Sequence, residues 1–220
     1  MKEIIIKAPQ GAKYLSDFTD TLPDGILNKV DTGCGATTVA LTNSENTIIC
    51  CPSKSMIINK TAQYPNERLN CPYSILGVME GIYSRDITRF IEACKERQHP
   101  VKIMVTYDSF HKIKNTVEHI DDYRVVVDEY QELLKIYSYR DKAVRKLLKD
   151  IKDLSKVTFL SATPIPYRYT PKELEKFSMY KIDWGQTVRC KPIREKTNKP
   201  YLAAKNLILE HKTGSGFNLD

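Results

Sequence analysis

A glycine turn set between an apolar strand and the start of a helix constrains this chain more than any other stretch. Gly25-Ile26-Leu27 runs into Val30-Asp31-Thr32-Gly33-Cys34-Gly35-Ala36-Thr37-Thr38, and Val39-Ala40-Leu41 leaves it. Such a turn aims successive backbone N–H groups at one point, where the helix dipole also favours negative charge. The spacing is close to the phosphate-loop pattern G-x-x-x-x-G-K-[ST]. Gly35 takes the second glycine position and Thr37 supplies the hydroxyl that would reach Mg²⁺. Val30 stands where the first glycine belongs, and Ala36 where the lysine belongs. Lys29 lies just before the loop, but a strand residue there more often points elsewhere, so it is not counted among the expected ligands.

The rest of the chain alternates strands with helices. Apolar runs at 3–6, 26–30, 47–51, 74–78, 101–107, 123–127, 156–160 and 180–184 read as strands, most of them continuously apolar. Helical spacing occupies 36–43, 54–61, 84–94, 108–114 and 130–152, the last interrupted near Tyr137-Ser138, and shorter stretches at 172–176 and 201–211. Residues 62–72 and the Lys/Arg/Pro/Asn-rich 191–199 read as loop or linker, and 213–216 as flexible. Continuously apolar strands alternating with helices predict an α/β fold, a mostly parallel central sheet covered on both faces. Ligands of such sheets lie at the carboxyl ends of the strands. The glycine loop, Pro52-Ser53, Thr106-Tyr107, Asp128-Glu129 and Ser161-Ala162-Thr163 all follow strand ends, so five polar segments converge on one edge.

Val125-Val126-Val127 ends in Asp128-Glu129-Tyr130-Gln131. A carboxylate leaving a sheet can hold Mg²⁺, usually through water, and the next one can orient or deprotonate an attacking water. A solvated acidic turn is the plainer alternative. Ser161 and Thr163 could bond those carboxylates and report nucleotide state, or form an ordinary Ser/Thr turn before Pro164. The net charge of +7 favours an anionic partner, nucleic acid being the commonest. Lys142, Arg145, Lys146, Lys149 and Lys152 recur at helical spacing, more often a solvated outer face than a binding stripe. The six cysteines include no C-x-x-C pair and read as free thiols in a reducing compartment. No apolar run approaches the length of about 20 residues needed to span a bilayer, and the chain reads as a soluble, cytoplasmic protein.

Taken in order, these segments resemble motifs of superfamily 2 (DEAD/DEAH-like) helicases and translocases. The glycine loop, Asp128-Glu129-Tyr130-Gln131 and Ser161-Ala162-Thr163 are similar to motifs I, II and III; Cys51-Pro52-Ser53-Lys54 resembles motif Ia, and Val105-Thr106-Tyr107-Asp108-Ser109-Phe110 the segment near motif Ib. The resemblance covers about residues 25–166 and implies a RecA-like P-loop NTPase sandwich of three layers, with ATP and Mg²⁺ as ligands. It implies nucleotide contact for Thr32, Gly33, Cys34, Gly35, Ala36, Thr37 and Thr38. Metal contact passes to Thr37 and Asp128, catalysis to Asp128, Glu129 and Gln131, and coupling to Ser161, Ala162 and Thr163. Nucleic-acid contact, DNA or RNA, passes to Ser53, Lys54, Thr106 and Tyr107. The expected division is 1–184 for the ATP-binding domain and 185–220 for a basic extension. Relatives complete the site with arginines from a second RecA-like domain, for which this chain has no room; it is a fragment of a longer protein or acts without that step. Two other readings stay open: a non-catalytic scaffold of the same fold in a phage or mobile-element assembly, which Ala36 favours, and an ATPase unrelated to nucleic acid.

Overall fold

Runs of β-branched and other apolar residues pair into one sheet: β1 (Glu3–Lys7), β2 (Gly25–Asn28), β3 (Thr47–Cys51), β4 (Leu76–Val78), β5 (Lys102–Thr106), β6 (Arg124–Val127), β7 (Val157–Ser161) and β8 (Met179–Asp183). The computed structural model describes residues 2–64 and 75–185, with 198, 199, 201, 202, 205 and 206. Every strand pair is parallel, and the order across the sheet is β1-β8-β2-β7-β6-β3-β5-β4. Parallel neighbours need long crossovers. Helices fill most of them: α1 (Ala36–Thr42), α2 (Lys54–Gln63), α3 (Ser84–Glu96), α4 (Phe110–Thr116) and α5 (Glu132–Ile151).

Strand alternation sorts the core into two layers. Ile48, Cys50, Val125, Val127, Val157 and Phe159 face one side, where they join Ile87, Phe110, Ile113, Leu147 and Ile151 of α3, α4 and α5. Ile49, Cys51, Val126 and Leu160 face the other and join Val39, Ala40, Leu41 and Ile57 of α1 and α2. Each Val, Leu, Ile and Phe among them, fully buried, contributes roughly 1.5–3 kcal/mol. The expected three-layer α/β architecture with a parallel sheet is the one observed.

Differences are local. β2 stops at Asn28 rather than Val30, because Val30 turns to a positive φ of 65°. The segment after β5 begins as a 3-10 turn at Tyr107–Ser109 before α4. α5 runs unbroken through Tyr137-Ser138. The stretch at 172–176 is only a 3-10 turn, Lys172–Leu174. The loop expected across 65–72, most of the 191–199 linker, most of the 201–211 helix and the 213–216 segment lie outside the described residues.

The amino-terminal edge of the sheet is tied by buried cations. Arg124 donates to Glu45 at 2.7 Å and to Asp24 at 2.6 Å. Lys102 donates to Ala40 O and Asn43 Oδ1, closing the last turn of α1, and to Glu45 O. Burial pushes the Lys102 ammonium down to about 7, with Glu45 pulling the other way. The opposite, carboxyl edge carries the polar segments, and there β7 lies directly between β2 and β6.

Candidate phosphate-binding site

β2 delivers the chain to the loop under close restraint. The Lys29 N–H donates to Ser161 O at 2.8 Å, and Lys29 O accepts from Asp31 N–H at 2.7 Å and from the Trp184 indole at 3.0 Å. The Asp31-to-Lys29 bond closes a three-residue turn on Val30, whose N–H donates to Asn28 Oδ1 at 3.0 Å. A β-branched residue with positive φ is strained. Gly33 and Gly35, at φ 70° and 82°, take the same left-handed region without a Cβ to clash. Gly35 is the N-cap of α1, and the first intrahelical bond runs from Val39 N–H to Gly35 O at 2.9 Å. The N–H groups of Ala36, Thr37 and Thr38 therefore have no intrahelical partner, as at any helix start.

Cys34 and Ala36 are buried at the base of the loop, against Leu15 and Val39. Burial pushes the Cys34 thiol up, so it is not a thiolate nucleophile. Thr38 accepts a hydrogen bond from Tyr64 OH at 2.9 Å.

The second half of the site comes from the end of β6. Asp128 is buried, and its Oδ2 accepts from Thr37 Oγ1 at 2.9 Å. Burial raises the Asp128 carboxyl above the ordinary carboxylate range, against the opposing pull of Lys29 and Thr37. Glu129 follows with φ 52°, a second strained non-glycine. The turn is held by Tyr107, whose hydroxyl donates to Asp128 O at 2.5 Å and Glu129 O at 3.2 Å. Tyr130 is buried behind it, its hydroxyl accepting from Ile165 N–H at 3.1 Å. Strain of this kind persists only where surrounding bonds fix it.

Gln131 Nε2 donates to Glu129 Oε2 at 2.5 Å, while its buried Oε1 has no partner among the described residues. Lys29, set aside in the sequence reading, is in the site: its Nζ donates to Glu129 Oε1 at 2.9 Å and lies 3.7 Å from Asp128 Oδ1. The signal was its place immediately before the turn.

The loop, Asp128, Glu129 and Gln131 are thus brought together. Ser161 sits between them on β7, fully buried, its Oγ accepting from Thr163 N–H at 2.9 Å in a local turn. Ser53, Lys54 and Thr106 line a neighbouring cleft with Glu80, Asp108 and Lys112. Ser53 caps α2 by accepting from Met56 N–H, and Lys54 pairs with Glu80 at 2.8 Å. Tyr107 points inward under the acids instead.

A hydroxyl and one buried carboxylate fit a magnesium ion, which is usually held by one or two carboxylates together with substrate phosphates. Thr37 and Asp128 would hold it, and the loop amides would face the phosphates.

No protein-family model and no curated protein matches the sequence. Solved structures do match in fold. A DEAD box protein from Methanococcus jannaschii aligns with a TM-score of 0.50 at 20% identity, over 84% of this chain and 53% of that one. The DEAD-box helicase Mss116, bound to single-stranded RNA and UDP-BeF, aligns with a TM-score of 0.53 at 15% identity, over 86% of this chain and 44% of that one. This chain spans about half the length of the structures it matches. Its fold is the RecA-like fold of the DEAD-box helicases.

Proposed function

We propose that this chain is the ATP-binding domain of a superfamily 2 helicase or translocase, one that binds a nucleoside triphosphate with Mg²⁺ and a nucleic acid. The observation that carries the reading is the 2.9 Å bond from Thr37 Oγ1 to Asp128 Oδ2, with Glu129 and Gln131 beside it. Hydroxyl and carboxylate come from loop and strand ends 91 residues apart in sequence. They meet where a phosphate-bound cation would be held.

Each group then has a role. Backbone amides of Thr32 to Thr38 receive phosphate oxygens. Magnesium, when bound by Thr37 and Asp128, supplies neutralisation of phosphate charge. Glu129 accepts the proton of an attacking water, and Gln131 holds the Glu129 carboxylate in register. Ser161, which ends the strand between loop and acids, and Ala162 and Thr163, which follow it, couple the nucleotide site to the nucleic-acid cleft of Ser53, Lys54 and Thr106. The ATP-binding domain occupies 1–184, with 185–220 leading towards a second RecA-like domain that supplies arginines.

The test is titration with a fluorescent ATP analogue, followed by hydrolysis assays with and without DNA or RNA. Nucleotide binding with turnover that rises with nucleic acid supports the reading. Glu129→Gln should lower turnover by about a hundredfold or more while binding survives; unchanged turnover would overturn the assignment. Ala36 favours one rival, a non-catalytic scaffold of the same fold in a phage or mobile-element assembly. Nucleic-acid binding without turnover, even with a second domain present, would select it.

A further inference from the structure

The loop lacks the lysine of its pattern, and Ala36 is buried and carries no charge. An ammonium is nevertheless in place. Lys29 Nζ lies 2.9 Å from Glu129 Oε1 and 3.7 Å from Asp128 Oδ1, while the other oxygen of Asp128 accepts from Thr37. One carboxylate therefore separates the cation from the hydroxyl at the start of α1. We propose that Lys29 supplies, from the entry side of the loop, the phosphate-directed cation that Ala36 cannot. This rests on the nucleotide-binding reading above and names the residue that makes it work without the usual lysine.

Three observations carry it. The first is burial: the Lys29 side chain is only 8% exposed, and a lysine so enclosed is rare unless paired. The second is restraint. Lys29 N–H is fixed to Ser161 O, and its carbonyl accepts from both Asp31 N–H and the Trp184 indole. The backbone turns immediately afterwards at Val30, and the side chain lies against both acids.

The third is charge balance. Asp128 and Glu129 together would repel a polyphosphate, and Lys29 is a cation that offsets them. Its ammonium is paired with both acids, at 2.9 Å from Glu129 Oε1 and 3.7 Å from Asp128 Oδ1. On nucleotide entry the ammonium exchanges Glu129 for a phosphate oxygen, a move of one flexible side chain. The exchange releases Glu129 Oε1 from the ammonium.

Binding of fluorescent analogues of ATP and of AMP to wild type and Lys29→Met tests this. The expected result is ATP affinity weakened about ten- to hundredfold, the range for a lost hydrogen bond to a charged group, with AMP affinity within twofold of wild type. Lys29→Met leaves two acids without their cation, so the comparison is repeated between Glu129→Gln and Lys29→Met/Glu129→Gln, with thermal melting to establish folding. The same selective loss is expected there. ATP affinity unchanged within twofold in either folded comparison overturns the role of Lys29 and leaves the nucleotide reading standing. Failure of the wild-type chain to bind the ATP analogue at all overturns both.

Discussion

Val30 occupies a glycine's place with a valine's side chain. Its φ of 65° lies where a β-branched residue is a true outlier, and the residue is 43% exposed, so little packing depends on it. A strained non-glycine of this kind costs about 1–3 kcal/mol, partly offset by the extra freedom glycine has when unfolded. Val30→Gly should therefore stabilise the chain by about 1 kcal/mol in urea unfolding; a loss of stability would mean the turn is not strained. The same turn explains why Lys29 could not be placed from sequence. Strand alternation assigns a side chain to a face only while the backbone stays extended. β2 ends at Asn28, one residue before Lys29, and a γ-type turn at Val30 follows, so alternation does not extend to the lysine. The hydroxyl of Thr37 and the acids of β6 were legible because glycine spacing and strand ends fix where they emerge.

Among the elements, the end of β5 and the end of β6 work as a pair. Tyr107 leaves the first and holds the acidic turn of the second through two carbonyls. Tyr107→Phe should destabilise the chain by about 1–3 kcal/mol, since buried acceptors lose their donor. It should also lower turnover by disturbing Glu129, and unchanged stability would return Tyr107 to the nucleic-acid contact its sequence position suggests. A tyrosine reads the same whether it points into a cleft or under a turn, so this role was invisible in the sequence. Apolar runs, by contrast, located every strand to within a few residues; the inner strands β3, β5, β6 and β7 are buried throughout and leave no polar alternation to misread. At the other edge, the Arg124 hydrogen bond holds Glu45 below its ordinary carboxylate value despite some burial. A lowered acid contributes stability above its unfolded value of 4.5 that is lost as pH falls through the folded one. Urea midpoints should drop below pH 4.5, and Glu45→Gln should lower the midpoint at neutral pH and flatten that drop.

The whole molecule is basic, with net charge +7, and none of its helices among the described residues is long and apolar enough to cross a membrane. Charge alone does not say where an anion binds. α5 buries Val144, Leu147, Leu148 and Ile151 and turns Arg145, Lys146 and Lys149 outward, as a solvated outer face would. The cleft at the carboxyl edge holds Lys54 and Lys112 beside Ser53 and Thr106. If that cleft follows a phosphate backbone, Lys54→Ala should weaken binding of any sequence and reduce the salt slope by about one. Lys149→Ala should leave both unchanged; equal effects from the two variants would place the contact elsewhere. Finally, the chain has a single tryptophan, and Trp184 has its indole on the Lys29 carbonyl and its ring edge-on to Phe18 at 5.8 Å. A rearrangement that moves the Lys29 carbonyl alters the surroundings of that one indole, so the unlabelled protein, excited beyond the tyrosine band, carries an optical gauge of its own first step.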